Sequence, residues 1–344
     1  MAQSSYKLSA GLWELTLRCT MNCMHCGSVG GTAREKELTL DECFHVADEL
    51  LDLGCEELTL IGGEIFLYKG WEKIARYLSE RGVVVNIMSN GYTIGENEIA
   101  QIEHARLSNV GISIDGMEEN HNRIRRKRDA FAQIRKAFDL LNEAGIPIGV
   151  VTCLLDFNCA DLEELYVFLL NHNVQLWQLQ LVNPMGNMAD KKDLIINPDK
   201  VPSIIEFVRE KNKDRVMVIQ AADSIGYYYD DNEAHIRGRR APVSYWAGCR
   251  AGITSVFIDS VGNVKGCGAL YSETFIEGNV RQRPLAEIWN AEDSFAYNRK
   301  FDTTLLTGKC RDCDVGDVCK GGCRASNFFA ANSLYESAFC CRGR

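Results

Sequence analysis

The sequence predicts an α/β protein built on parallel strands. Apolar runs of strand length alternate six times with segments of helical periodicity, and glycine or polar residues sit where those runs end. An apolar alternating run beginning near Leu12 is the first strand. Thr39 to Leu53 follows as a helix, with Thr39 and Glu42 placed for a capping box and Gly54 placed to stop it. Leu58 to Ile61 is the next strand. The alternation continues through a helix from Trp71 to Arg81, a strand from Val83 to Met88, a helix from Glu96 to Ala105 and a strand from Val110 to Ile114. It ends with a helix from Ala130 to Ala144, a strand from Ile146 to Leu154, a helix from Asp161 to Asn171, a strand from Gln175 to Leu181 and a helix near Pro198 to Lys211. Strand-then-helix repetition demands right-handed crossovers between parallel strands, and so a barrel or an open sheet. The breaks at Asn183 to Gly186 and Ile196 to Pro198 mark the end of the repeat. We divide the chain into residues 1–215, the α/β part, and 216–344, where cysteines return in number.

Composition narrows the class. The 344 residues are 46% hydrophobic and 25% charged, as suits a globular chain. No apolar run reaches the roughly eighteen residues of a membrane span, and the first residues lack the basic and apolar regions of a signal peptide. A cytoplasmic location without membrane attachment is the expectation. Fifteen cysteines in a chain of this length, bunched at short spacings, fit metal centres in a reducing compartment better than a disulfide framework. A net charge of -9 argues against general nucleic-acid binding. The exception is the basic run Arg123, Arg125, Arg126, Lys127 and Arg128, read as a solvated helix start or as an anion contact.

Cys19, Cys23 and Cys26 are spaced C-x3-C-x2-C directly after the first strand. Three thiolates on one loop can hold three irons of a cuboidal 4Fe-4S cluster and leave the fourth open to a small molecule. Zinc would require a fourth protein ligand at short spacing. This stretch resembles the cluster motif of radical S-adenosylmethionine (radical SAM) enzymes. The resemblance implies a partial (β/α)6 TIM-type barrel and an open iron that chelates the amino and carboxylate groups of SAM. It implies, too, reductive cleavage of the sulfonium to a 5'-deoxyadenosyl radical, with the electron coming from a donor such as flavodoxin or ferredoxin. His25 stands where the family usually has an aromatic residue that touches adenine through its backbone.

Chemistry in such folds gathers at the carboxyl ends of the strands. Gly62-Gly63-Glu64 ends the second strand; glycines admit close backbone approach, and a carboxylate can accept from an ammonium group. The family's GGE motif binds the methionine amine, with a proline next where this chain has Ile65. Ser89-Asn90 ends the third strand and Ser113 and Asp115 end the fourth, positions similar to the family's contacts with the ribose and the methionine carboxylate. His121 and Arg125 resemble a further common stretch, which adds Arg125 to the expected cofactor contacts. Cys43, Cys55, Cys153 and Cys159 stand alone and are read as small packed hydrophobes.

Beyond the barrel the order is Cys249, Gly262, Cys267, then Cys310-x2-Cys313-x5-Cys319-x3-Cys323, then Cys340 and Cys341. The four central cysteines alone fit zinc as well as iron and sulfur. The whole order resembles the SPASM domain of radical SAM modifiers, which carries two auxiliary clusters. Mapped by that resemblance, the first takes Cys249, Cys267 and Cys323, with its fourth position open to substrate, water or another side chain. The second takes Cys310, Cys313, Cys319 and Cys341, with Cys340 as the alternate. Both expected clusters, 4Fe-4S in type, also staple a region with little regular structure, and a purely structural role is the competing reading.

Gly268 stands where sulfatase maturases have an acidic residue, which speaks against that group. Asp223-Ser-Ile-Gly-Tyr-Tyr228, Trp246-x2-Cys249 and Ile288-Trp289 resemble maturases of ribosomally made peptides, including those serving nitrile-hydratase-like or Nif11-like leaders. Such enzymes forge crosslinks or, as spliceases, excise tyramine and leave a β-amino acid. The expected partner is a ribosomal precursor peptide. A separate leader-recognition protein is expected to deliver it, since the first strand begins by Leu12. A SPASM-type dehydrogenase of a small molecule and a non-catalytic iron–sulfur electron carrier are the alternatives.

Overall fold

The computed structural model describes residues 6–222, 224, 225, 236 and 246–342. Its strands form one ten-stranded sheet. Seven run parallel in chain order: β1 (Ala10–Glu14), β2 (Glu57–Ile61), β3 (Val84–Ser89), β4 (Asn109–Ser113), β5 (Ile148–Leu154), β6 (Leu176–Leu181) and β7 (Val218–Ala221). The crossovers are helical: α1 (Leu40–Asp52), α2 (Trp71–Ser79), α3 (Glu96–Ala105), α4 (Glu118–Arg125) with α5 (Ala130–Glu143), α6 (Leu162–Asn171) and α7 (Val201–Lys211). This is the expected partial barrel, with β7 as a seventh parallel strand. Four residues are too short to show a period, which is why VIQA did not read as a strand.

The C-terminal part joins the same sheet. β8 (Ser255–Ile258) pairs in parallel with β1, setting Ala10 opposite Ser255 and Trp13 opposite Ile258. β9 (Asn263–Lys265) and β10 (Gly278–Asn279) follow antiparallel. The division expected at residue 215 therefore falls just before β7, and strands from both sides of it share one ladder.

Each helix buries its apolar stripe against the sheet, as with Cys43, Val46, Ala47 and Leu50 of α1. Alternation within the strands sets what faces outward and what faces inward. On β6, Trp177, Leu179 and Leu181 are buried, while Gln178 and Gln180 point the other way. The basic run differs from its expected reading: it closes α4, where cations favour the helix dipole, and Arg126 ends the helix in the left-handed region. No helix among the described residues is long and apolar enough to cross a membrane.

Arg281 clamps the segment after β10 to α1. Its guanidinium meets Glu42 through Nε at 2.6 Å and Nη2 at 2.8 Å, and donates through Nη1 to the Lys36 carbonyl at 2.7 Å. Arg281, with help from the Thr39 cap, holds the Glu42 carboxyl down to about 2. A depressed carboxyl contributes stability that is complete above its unfolded value near 4.5 and is lost as the pH falls toward 2. Both side chains are about a third exposed, so solvent screens the pair. Arg281→Ala is expected to cost about 1 kcal/mol in urea denaturation at pH 7. That penalty should shrink across the same acid window.

Candidate active site

The loop after β1 carries the first three cysteines and is seated by backbone bonds on its neighbours. Gly63 donates to the Thr16 carbonyl at 2.8 Å, Glu64 to that of Arg18 at 2.7 Å, and Met24 to that of Ile124 at 2.8 Å. A Cβ at Gly63 would lie 2.3 Å from the Arg18 carbonyl oxygen, and one at Gly62 would lie 2.9 Å from that of Thr16. The tandem glycines thus admit the cysteine loop itself.

Cys19, Cys23 and Cys26 share one apolar patch with Met21, Tyr92 and Ala130. Burial pushes the Cys19 thiol up to about 11 and raises Cys23 as well. Each sulfur nonetheless faces a donor: Asn90 Nδ2 lies 3.8 Å from Cys19, Arg125 Nη1 lies 3.8 Å from Cys23, and the Gly30 amide lies 3.3 Å from Cys26. Buried thiols with donors aimed at them suit thiolates on a metal cluster, so the residues present fit the expected iron–sulfur group.

Asp115, fully buried, holds the loop from below. Oδ2 accepts from His25 Nε2 at 2.8 Å, Oδ1 accepts from the Cys153 amide at 3.0 Å, and the Arg125 guanidinium forms an ion pair with Oδ2, its Nε 2.7 Å away. Burial alone would raise this carboxyl; Arg125 and His25 instead keep it well below the usual carboxylate range. His121, pushed down to about 3 by burial, accepts from the Asp115 amide through Nδ1 at 3.1 Å. His25, Asp115 and Cys153 converge as a metal site would, but both carboxylate oxygens already accept, so they form an ion-pair network. Arg125 is therefore not part of a solvated run. His25 is anchored by its side chain.

A cavity of about 660 Å³ opens above the loop. His25, Cys26, Gly62 and Ser113 form one end, and Cys323 and Ser326 the other. Of the expected cofactor contacts, only Gly62 and Ser113 are on this wall among the described residues. Gly63 backs the loop, and Asp115 and Arg125 support it from beneath. Glu64 is buried behind the wall, accepting from Ser89 Oγ and the Asn90 amide, both at 2.9 Å. Burial pushes Glu64 up to about 7 against those bonds.

Gln178, Gln180 and Gln220 line the cavity on β6 and β7. Sequence reasoning passed over them. Their signal was polar alternation in a parallel strand, where both faces are ordinarily apolar. Cys153, expected only to pack, also lines the cavity, and Gln180 Nε2 donates to its sulfur at 3.0 Å. Cys43, Cys55 and Cys159 do lie in or against the core.

The C-terminal cysteines form two groups. Cys310, Cys313, Cys319 and Cys340 line one small cavity together. Cys341, the preferred ligand by spacing, instead packs in the main hydrophobic core, so it is the alternate, Cys340, that lies with the other three. Two consecutive side chains do not face the same way, and spacing cannot tell which one turns inward. The other group adjoins it: Cys249 and Cys323 pack with Trp246 beside Cys319 and Cys340, and Cys267 and Cys323 pack with Phe275 and Ala325. The Ala269 amide donates to Cys267 Sγ at 3.4 Å. Asp223, Gly226, Tyr227 and Tyr228 lie outside the described residues.

Known proteins are similar to this chain in sequence and in fold. Residues 13–169 match the radical SAM superfamily, and residues 249–314 match SPASM, an iron–sulfur cluster-binding domain. The AdoMet-dependent heme synthase of Methanosarcina barkeri is 29% identical over 95% of this chain and 95% of its own. The mycofactocin maturase MftC of Mycolicibacterium smegmatis is 26% identical over 94% of this chain and 79% of its own. In fold, SuiB of Streptococcus suis bound to its precursor peptide SuiA superposes with a TM-score of 0.77 at 16% identity, over 97% of this chain and 76% of that one. A sulfur-bearing loop at the end of β1, a second cysteine field across the cavity and these matches lead to one conclusion: the chain is a radical SAM enzyme with a C-terminal SPASM domain.

Proposed function

We propose that the enzyme matures a ribosomally made peptide, abstracting a hydrogen from a segment held between the two cysteine fields and thereby starting a crosslink or a backbone excision. The observation that carries this reading is the lining of the cavity. Gln178, Gln180, Gln220 and Asn183 offer amide donors and acceptors, the groups that pair with peptide backbone and neutral side chains. A volume of about 660 Å³ must also admit SAM, and sites for a single small ligand span about 300–1,000 Å³.

The cluster and SAM together supply the hydrogen-abstracting radical; the protein determines which hydrogen it meets. Cys19, Cys23 and Cys26 hold the cluster in this proposal. Gly62 offers its backbone to the methionine end of SAM and Ser113 meets the ribose, while Gly63, Glu64, Ser89 and Asn90 support that wall from behind. Asp115 and Arg125 keep the loop in place beneath. Cys249, Cys267 and Cys323 hold one auxiliary 4Fe-4S cluster, and Cys310, Cys313, Cys319 and Cys340 hold the other.

A second reading has its own support. The likeness to heme synthases spans nearly the whole of both chains, and Arg250, a cation with no ion-pair partner among the described residues, lines the cavity. A carboxylate-bearing tetrapyrrole would engage it. Enzyme reconstituted with iron and sulfide, reduced with dithionite and given SAM should release 5'-deoxyadenosine. Product masses then separate the readings when a precursor peptide encoded beside the gene and Fe-coproporphyrin III are supplied in parallel. A mass change in the porphyrin alone rejects peptide maturation. The ligand sets are checked by iron analysis: Cys340→Ala should lose about four of about twelve irons, one cluster's worth, while Cys341→Ala keeps them all.

A further inference from the structure

We propose that the phenol of Tyr297 donates a hydrogen bond to the auxiliary cluster held by Cys249, Cys267 and Cys323, and so sets that cluster's reduction potential. The inference rests on the ligand set proposed above.

The Tyr297 hydroxyl is buried, and no acceptor among the described residues takes its proton. Buried polar groups are nearly always satisfied, so an orphan of this kind points to a group that occupies the space beside it. The Gly266 amide is directed at its oxygen, which leaves the phenol proton to be placed, and Tyr297 packs in one cluster with Cys267 and Cys323.

Its placement is over-determined. Phe275 packs edge-on against the ring at 5.5 Å between centroids. The Tyr297 carbonyl accepts from Tyr335 Oη at 3.1 Å and from Arg324 Nε at 3.3 Å. The next residue, Asn298, donates through Nδ2 to the Ala251 carbonyl at 2.7 Å, two positions beyond Cys249. Space for the hydroxyl is made by Gly266, next to Cys267: a Cβ there would lie 2.3 Å from the phenolic oxygen. Were packing the whole purpose, phenylalanine would fill this site without burying an orphan hydroxyl. A phenol has one proton to give, and cluster sulfur is the acceptor at hand. Donors to cluster sulfur stabilise the more negative, reduced state and raise its potential.

The test uses the full reconstituted chain, Tyr297→Phe, iron analysis and a potentiometric titration followed by EPR. The expected result is wild-type iron content, with one auxiliary midpoint moved to lower potential and the other midpoints unmoved. Unchanged midpoints overturn the proposal. Loss of one cluster's iron also overturns it, since the phenol would then be a ligand. The underlying ligand set fails separately, if Cys267→Ala retains the full complement of iron. Should Tyr297→Phe not fold, a fluorinated tyrosine at 297 keeps the shape and makes a stronger donor. The same midpoint must then rise, and a midpoint that stays put again rejects the bond.

Discussion

A carboxylate with no exposed surface has to be matched by cations and donors, or the fold could not carry its charge. Asp115 is that carboxylate, and the means of matching it organise the site. His25 comes from the cysteine loop, Arg125 from α4 and the Cys153 amide from β5. One buried group thereby ties three separate elements beneath the cluster loop. Arg125 then extends to the sulfur of Cys23, so the charge that settles Asp115 is also presented to a thiol. Asn158 completes the arrangement, donating to the Asp115 carbonyl at 2.6 Å and to that of Cys153 at 2.9 Å.

Much of the barrel could be read from the chain because its signals are local. The capping box of Thr39 and Glu42 is present as spaced, and the six strands and their main crossover helices lie where periodicity put them. The three cysteines after β1 converge for the same reason: eight residues of loop leave them little freedom. Other features depend on contacts made at long range. β8 pairs with β1 across more than two hundred residues, which no period within either segment announces. The placement of Cys340 beside Cys310 likewise depends on the fold of the C-terminal stretch, where the Ser337 amide donates to Cys310 Sγ at 3.5 Å.

The tandem glycines show how a correct motif can have an additional physical cause. Sequence reading ties Gly62-Gly63 to the approach of a ligand. The structure shows the carbonyls of Thr16, Leu17 and Arg18 in the space a side chain would need. Close approach is required first by the loop that carries Cys19. The Arg34 guanidinium joins this loop region to the C-terminal part, contacting Glu14, Ser260 at 2.5 Å and Tyr271 at 2.7 Å.

The ladder between β1 and β8 has a further consequence. One strand leads into the loop bearing Cys19, Cys23 and Cys26, and the other begins six positions after Cys249. A parallel ladder fixes the register of its two strands, so this pairing ties the placement of the segment that carries Cys249 to that of the loop that carries Cys19, Cys23 and Cys26.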